Sequence, residues 1–244
     1  MTYSIGITTF KRRERLLRNL VSSIRQYTDR TILIIVNPDY KTPLDPEYVK
    51  RILAFCSGFD NVLPTFFPAF TSLAKMWNTL IVNAATPSVL ILNDDILLDD
   101  DVFAAIPDGN ELLLLNGGWS HFLISKRMAR SLNFFDERLL AYGEEDGDMT
   151  WKYINLYGES PPTFTVAGIR NLGEGYRNKT SRLALLDVGG QVFRPAFNRE
   201  FLFNQMYEKG GAISGMFGEP HRRVIEDEQQ YPYEAFTEEN GDRL

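Results

Sequence analysis

Carboxylates that fall side by side repel one another, and this 244-residue chain groups them at two places. At Asn93-Asp94-Asp95, two adjacent acids follow the aliphatic run Val89-Leu90-Ile91-Leu92. At Glu144-Glu145-Asp146-Gly147-Asp148, four of five positions are acidic. Such groups cost free energy unless solvent, an Arg or Lys, or a divalent cation taking oxygen ligands offsets them. The chemistry open to them is metal coordination and proton abstraction by a carboxylate ionised at neutral pH. A third stretch, Thr8-Thr9-Phe10-Lys11-Arg12-Arg13, supplies cations that could meet a phosphate. Each has a plain alternative: Asp opens loops where strands stop, acids gather at helix starts, and basic residues solvate them.

The elements that must position these groups follow from periodicity. Residues 3–9 read as a short apolar strand, and Leu16, Leu17, Leu20, Val21 and Ile24 form one face of a helix after it. Residues 31–36 make a second buried strand, stopped by Asn37-Pro38-Asp39. A helix is expected over 47–55, a short strand near 62–64, and a helix over 72–85 packing through Leu73, Met76, Trp77, Leu80 and Ile81. The run 89–92 then reads as a strand buried on both faces, so its two acids sit at the carboxyl end of a sheet, where open α/β sheets bind ligands. A helical turn at 103–106, strands at 112–115 and 121–125, a helix at 126–133, a helix continuing from the second acid group to Tyr157, and a last strand at 163–166 complete the pattern. Alternation of this kind predicts an α/β fold with a mostly parallel sheet flanked by helices. Residues 1–170 are expected to form the main domain and 171–244 an α-rich C-terminal extension, helical near 197–209 and acidic toward the end.

Composition narrows the class. Hydrophobic residues make up 44% and charged residues 24%, as in ordinary soluble domains. A net charge of −6 argues against nucleic acid as a partner. The single cysteine, Cys56, excludes an intrachain disulfide framework and suits a reducing compartment, with packing its expected role. Met1-Thr2-Tyr3 runs straight into a strand pattern, and no run of about 18 apolar residues occurs, so neither leader nor transmembrane segment is expected and a cytoplasmic location follows. The sequon Asn178-Lys179-Thr180 would matter only in a secretory context.

Together, the order and wording of these stretches resemble the GT-A glycosyltransferases, particularly the large inverting family 2. The similarity runs over roughly residues 3–165. It includes the Thr-rich first loop Ile7-Thr8-Thr9-Phe10-Lys11-Arg12 and the helix wording Ala74-Lys75-Met76-Trp77-Asn78-Thr79. It also includes the strand-and-acid motif Leu90-Ile91-Leu92-Asn93-Asp94-Asp95. The most specific segment runs from Phe135-Asp136-Glu137-Arg138 to Gly143-Glu144-Glu145-Asp146-Gly147-Asp148-Met149-Thr150-Trp151. Two departures stand out: the first acid of the metal motif is replaced by Asn93, and the acid often found after the second strand is Asn37, with Asp39 two positions on. No Gln-x-x-Arg-Trp sequence follows, which argues against a processive synthase.

The resemblance implies a GT-A fold and sugar transfer from a nucleotide diphosphate donor, UDP-sugar by default, with inversion and with Mn²⁺ or Mg²⁺ as cofactor. It implies Asp146 as general base, with Glu145 second, and Asp95 and a C-terminal His221 as metal ligands. Thr8, Thr9, Phe10, Arg12, Arg13, Asn37, Asn78, Asn93 and Asp94 are the implied donor-binding residues, Asp94 contacting nucleotide or metal. The acceptor (a glycan, a lipid-linked sugar or a protein) is not named by the sequence. His121 is expected to be structural, and Trp119, Trp151 and Tyr176 are either acceptor platforms or core. The alternatives are a nucleotidyltransferase, though the first loop lacks its usual glycines, and a nucleotide-sugar-binding protein without catalysis.

Overall fold

The computed structural model describes residues 2–39, 42–139 and 143–172, and the backbone pairing of 187–188 with 191–192. Two layers of helices enclose a seven-stranded sheet. In chain order the elements are β1 (Tyr3–Phe10), α1 (Glu14–Ile24), β2 (Ile32–Asn37), α2 (Pro46–Cys56), β3 (Val62–Phe66), α3 (Leu73–Asn83) and β4 (Ser88–Asn93). They continue with β5 (Ile96–Leu98), α4 (Val102–Ala105), β6 (Leu112–Leu115), β7 (His121–Ser125), α5 (Lys126–Ser131), α6 (Glu145–Tyr157), β8 (Thr163–Phe164) and β9 (Ile169–Asn171). A 3-10 turn, Lys11–Arg13, joins β1 to α1.

The sheet order is β3-β2-β1-β4-β7-β6-β8. β1 to β4 are mutually parallel, with Phe10 opposite Asn37 and Thr8 opposite Asn93, so three strands end along one edge. β7 runs antiparallel to both neighbours, which makes the sheet mixed but mostly parallel, as the alternation predicts. The side chains that pack α1 and α2 against one face include Leu17, Leu20, Ile24, Tyr48 and Ile52, meeting Ile5, Ile7, Ile34 and Leu92. On the other face, Met76, Trp77 and Leu80 of α3 and Met149 of α6 meet Val89, Ile91 and Phe122. Gly6 packs closely there: a Cβ would lie 3.0 Å from the Leu80 side chain and 3.1 Å from that of Val89, so both would have to shift.

Local chemistry sets the helix ends. Asp45 caps α2 through the Tyr48 amide, with Pro46 at the first helical position, and Ser72 caps α3 through the Lys75 amide. The expected helix over 72–85 is therefore trimmed to Leu73–Asn83, with Ser72 outside it as its cap. The short β5 and β9 pair antiparallel outside the main sheet, a pairing that periodicity alone does not suggest. The expected boundary at 170/171 lies within β9, and Leu172 donates its amide to the Asp95 carbonyl at 2.7 Å. Burial holds the Cys56 thiol up at about 11, which suits packing rather than chemistry. Among the described residues, no helix is long and apolar enough to cross a membrane.

Candidate active site

Asp94 sits at the end of β4 with 1% of its surface exposed. A carboxylate there needs partners, and β1 and the turn after it provide them. Thr9 donates its hydroxyl to Asp94 Oδ2 at 2.6 Å. Arg13 Nη2 stands 2.9 Å from Asp94 Oδ1 and 3.1 Å from Asp95 Oδ2, although Oδ1 receives no well-aligned hydrogen bond. Burial pushes Asp94 up to about 6, and the Arg13 charge and Thr9 hydroxyl pull against it. Asp95 is more open, its side chain 23% exposed. The first loop and the acidic strand end thus touch directly through Thr9, Arg13, Asp94 and Asp95.

The neighbouring basic residues already face acids. Arg12 lies 3.5 Å from Asp39 and Lys11 2.9 Å from Asp45. Burial raises Asp39, with the Arg12 and Lys11 charges opposing it, and Asp39 Oδ1 has no hydrogen-bond donor among the described residues. Tyr48 is buried beneath this end of the sheet with an unpartnered hydroxyl; burial raises it, as do the charges of Glu14, Asp39 and Asp94. Thr8 is buried in β1, and Phe10 stacks on Phe70 with ring centroids 6.2 Å apart. Asn93 donates its backbone amide to the Ser120 carbonyl at 3.3 Å.

Asn37 and Asn78 serve the scaffold. Asn37 donates to the Thr71 carbonyl at 2.8 Å and accepts from its amide at 3.1 Å, fixing the loop before α3. Asn78 donates to the Phe135 carbonyl and to Glu137 Oε1, at 2.8 and 2.9 Å, and accepts from the Phe135 amide at 3.0 Å. Both are fully buried and make these contacts with main chain and Glu137.

The second acid group divides three ways along the start of α6. Asp148 is fully buried and pairs with Lys152, one helical turn on, at 3.0 Å. Lys152 also donates to the Phe134 carbonyl at 2.6 Å, tying α6 to the segment that Asn78 holds. Glu145 is buried and pushed up to about 8, first by desolvation and then by Asp146, so the neutral acid dominates at pH 7. Asp146 is exposed, its Oδ1 accepting from the Gly147 amide at 2.9 Å. Glu144, just before the helix, holds φ +73°, a left-handed conformation that non-glycine residues adopt at an energetic cost.

A chain of hydrogen bonds relates the two groups. The loop before β7 accepts from Asn93 through Ser120, and its Trp119 indole donates to Thr150 Oγ1 at 2.8 Å. Thr150 in turn donates to the Asp146 carbonyl at 2.8 Å. Trp119 is therefore buried against Phe122 and Phe135, and Trp151 is buried too, so both belong to the core rather than to an acceptor platform. Tyr176 and His221 lie outside the described residues.

Two further titratable side chains lie beside the acid groups. His121, expected to be structural, faces Leu92 across the β4–β7 register and is 6% exposed. Burial lowers it to about 4 despite the nearby Asp95 charge, and its Nδ1 has no hydrogen-bond partner among the described residues. Only the antiparallel pairing reveals this proximity. Lys152 was findable, being four residues after Asp148 on an expected helix.

A divalent cation fits the acidic turn as one shared with a ligand. Among the described residues, no group of three His, Cys, Asp or Glu could hold an ion alone. Mg²⁺ commonly takes one or two carboxylates plus substrate phosphates, and the half-open Asp95 and the unaligned Asp94 Oδ1 offer hard oxygens of that kind.

No family model matches the chain, and no curated protein matches it in sequence. Solved structures do share its fold. GalNAc-T7, solved with UDP, GalNAc and Mn²⁺, superposes with a TM-score of 0.56 at 13% identity, over 70% of this chain and 43% of that one. S. aureus TarS, as its 1–349 fragment, superposes with a TM-score of 0.52 at 14% identity, over 84% of this chain and 73% of that one. Its UDP complex gives 0.50 at 15% identity over the same shares. The chain thus spans less than half of the GalNAc-T7 chain it matches. It has the GT-A architecture: a mostly parallel α/β sheet with its strand ends gathered at one edge.

Proposed function

We propose that this chain is a glycosyltransferase moving a sugar from a nucleotide diphosphate donor, UDP-linked by default, to an acceptor hydroxyl with inversion. One observation carries the reading. The acidic end of β4, countered by Thr9 and Arg13, is tied by hydrogen bonds through the 119–120 loop to an exposed acid at the start of α6. The first feature suits a diphosphate and its cation, and the second suits proton removal. GalNAc-T7 and TarS, solved with UDP, support the donor class through their shared fold.

In this reading Asp95 holds a Mn²⁺ or Mg²⁺, with Asp94 behind it and His221 as the further ligand the resemblance implies. The bound ion supplies a Lewis acid against the charge of the departing diphosphate. Arg13 and Arg12 orient the phosphates through charge-assisted hydrogen bonds, and Thr9 keeps Asp94 in place. Asp146 takes the acceptor hydroxyl's proton as sugar transfer proceeds through an oxocarbenium-like transition state. Glu145, neutral at pH 7, is the weaker candidate for that step.

A panel of UDP-, GDP- and dTDP-sugars with Mn²⁺, scored by thermal shift and nucleotide release, tests the proposal. Stabilisation by one nucleotide, with slow release of that nucleotide from its sugar, is expected. Tight binding without turnover would convert the reading to a binding protein, and no stabilisation by any nucleotide would overturn it.

A further inference from the structure

We propose that Arg13 is an internal counter-cation that occupies the metal-facing side of Asp95 until a diphosphate draws it away, so that the divalent ion enters with the nucleotide rather than before it. This rests on the donor-site reading above. A single nitrogen, Nη2, lies 2.9 Å from one carboxylate and 3.1 Å from the next, so one cation already serves both acids.

The two contacts differ in what they can give up. Asp94 is buried, with its other oxygen held by Thr9, so removing Arg13 from it would leave a buried carboxylate without its cation. Asp95 is partly open, and water can replace Arg13 there at small cost. Arg13 itself is 28% exposed and stands on the 3-10 turn between β1 and α1, outside the sheet.

A divalent cation arriving alone at Asp95 meets a guanidinium already within ion-pair distance, and like charges that close repel. A diphosphate reverses the balance. Its oxygens match the planar guanidinium fork better than a single shared carboxylate contact does, and its charge draws Arg13 off Asp95. The freed Asp95 oxygen and the phosphate then provide hard ligands together. Arg13 thereby sets the order of assembly while remaining a phosphate contact.

Mn²⁺ binding to the full chain, followed by the paramagnetic resonance signal of the free ion, tests this with no reference to turnover. In the wild type, Mn²⁺ alone binds weakly, and UDP tightens it at least about fivefold. In Arg13→Gln, Mn²⁺ alone binds at least about fivefold more tightly than to the wild type, the scale of one partly exposed ion pair. Adding Asp95→Asn to that variant removes the gain. If the loss of charge beside Asp94 prevents folding, Arg13→Lys keeps a cation there with a shorter reach and gains in the same direction. Equal Mn²⁺ affinity of wild type and variants, while UDP still binds, overturns the proposal and leaves the donor site standing. Absence of UDP binding to the wild type removes the donor site and the proposal with it.

Discussion

The two acid groups are similar in sequence but differ in what stands opposite them. At the end of β4, the adjacent pair Asp94 and Asp95 shares one cation, Arg13, and one of the two is buried with a hydroxyl as second partner. At the start of α6, the acids differ in surroundings: Asp148 pairs with Lys152, Glu145 is buried beside Asp146, and Asp146 faces solvent. On the proposed reading, a shared counter-cation would make a place where charge can be exchanged for a metal and a phosphate. Burial raises the Glu145 carboxyl, while Asp146 beside it stays exposed to solvent. On the same proposed reading, one residue type would serve charge binding in one region and proton transfer in the other.

The largest test of that division is Asp146→Asn. Transfer should fall by about 10²–10⁴-fold, the range of a lost general base, with UDP affinity by calorimetry nearly unchanged. Unimpaired turnover would return the α6 acids to a purely structural role. Lys152→Met comes next, because it removes the cation from a fully buried carboxylate. Urea denaturation should show a loss of about 3–5 kcal/mol, and a loss under about 1 kcal/mol would mean that Asp148 does not depend on the pair.

Glu145→Gln sharpens the contrast through pH. Because the folded-state carboxyl is raised from 4.5 to about 8, its neutral form favours folding at low pH, and that contribution disappears as pH rises through 8. The variant should match the wild type near pH 5 and exceed it at pH 9 by up to roughly 4 kcal/mol. Parallel melting-temperature profiles for the two proteins would refute the assignment. Thr9→Val acts on the other group and should have the smallest effect. Removing the buried hydroxyl that donates to Asp94 should cost about 1–3 kcal/mol in thermal unfolding, and an unchanged stability would mean Arg13 suffices alone.

Much of the architecture was legible because periodicity is local. The buried runs of β1, β2 and β4, and the stripe of Leu16, Leu17, Leu20, Val21 and Ile24, signal their elements without reference to distant residues. The pairing of β5 with β9 was not, since two short strands far apart in the chain meet there and local periodicity carries no sign of the partner. Nor can a sequence distinguish an amide that faces a ligand from one that ties down main chain. Asn37 and Asn78 carry the expected residue type, but both are bound to loops that only folding brings beside them. Likewise, His121 gains its interest from the strand opposite it, not from its neighbours in the chain.

By itself, the sequence determined the two acid groups, the basic loop after the first strand, the order of strands and helices, and the substitution of Asn93 for an acid. Tertiary structure decided which charges meet. Thr9 and Asp94 are 85 residues apart, and their contact exists because β1 and β4 lie side by side in parallel with their ends at one edge. Attraction between such groups is short-ranged in water, so neither spacing nor composition could assign Arg13 to both Asp94 and Asp95, or leave Asp146 exposed while Glu145 is buried beside it.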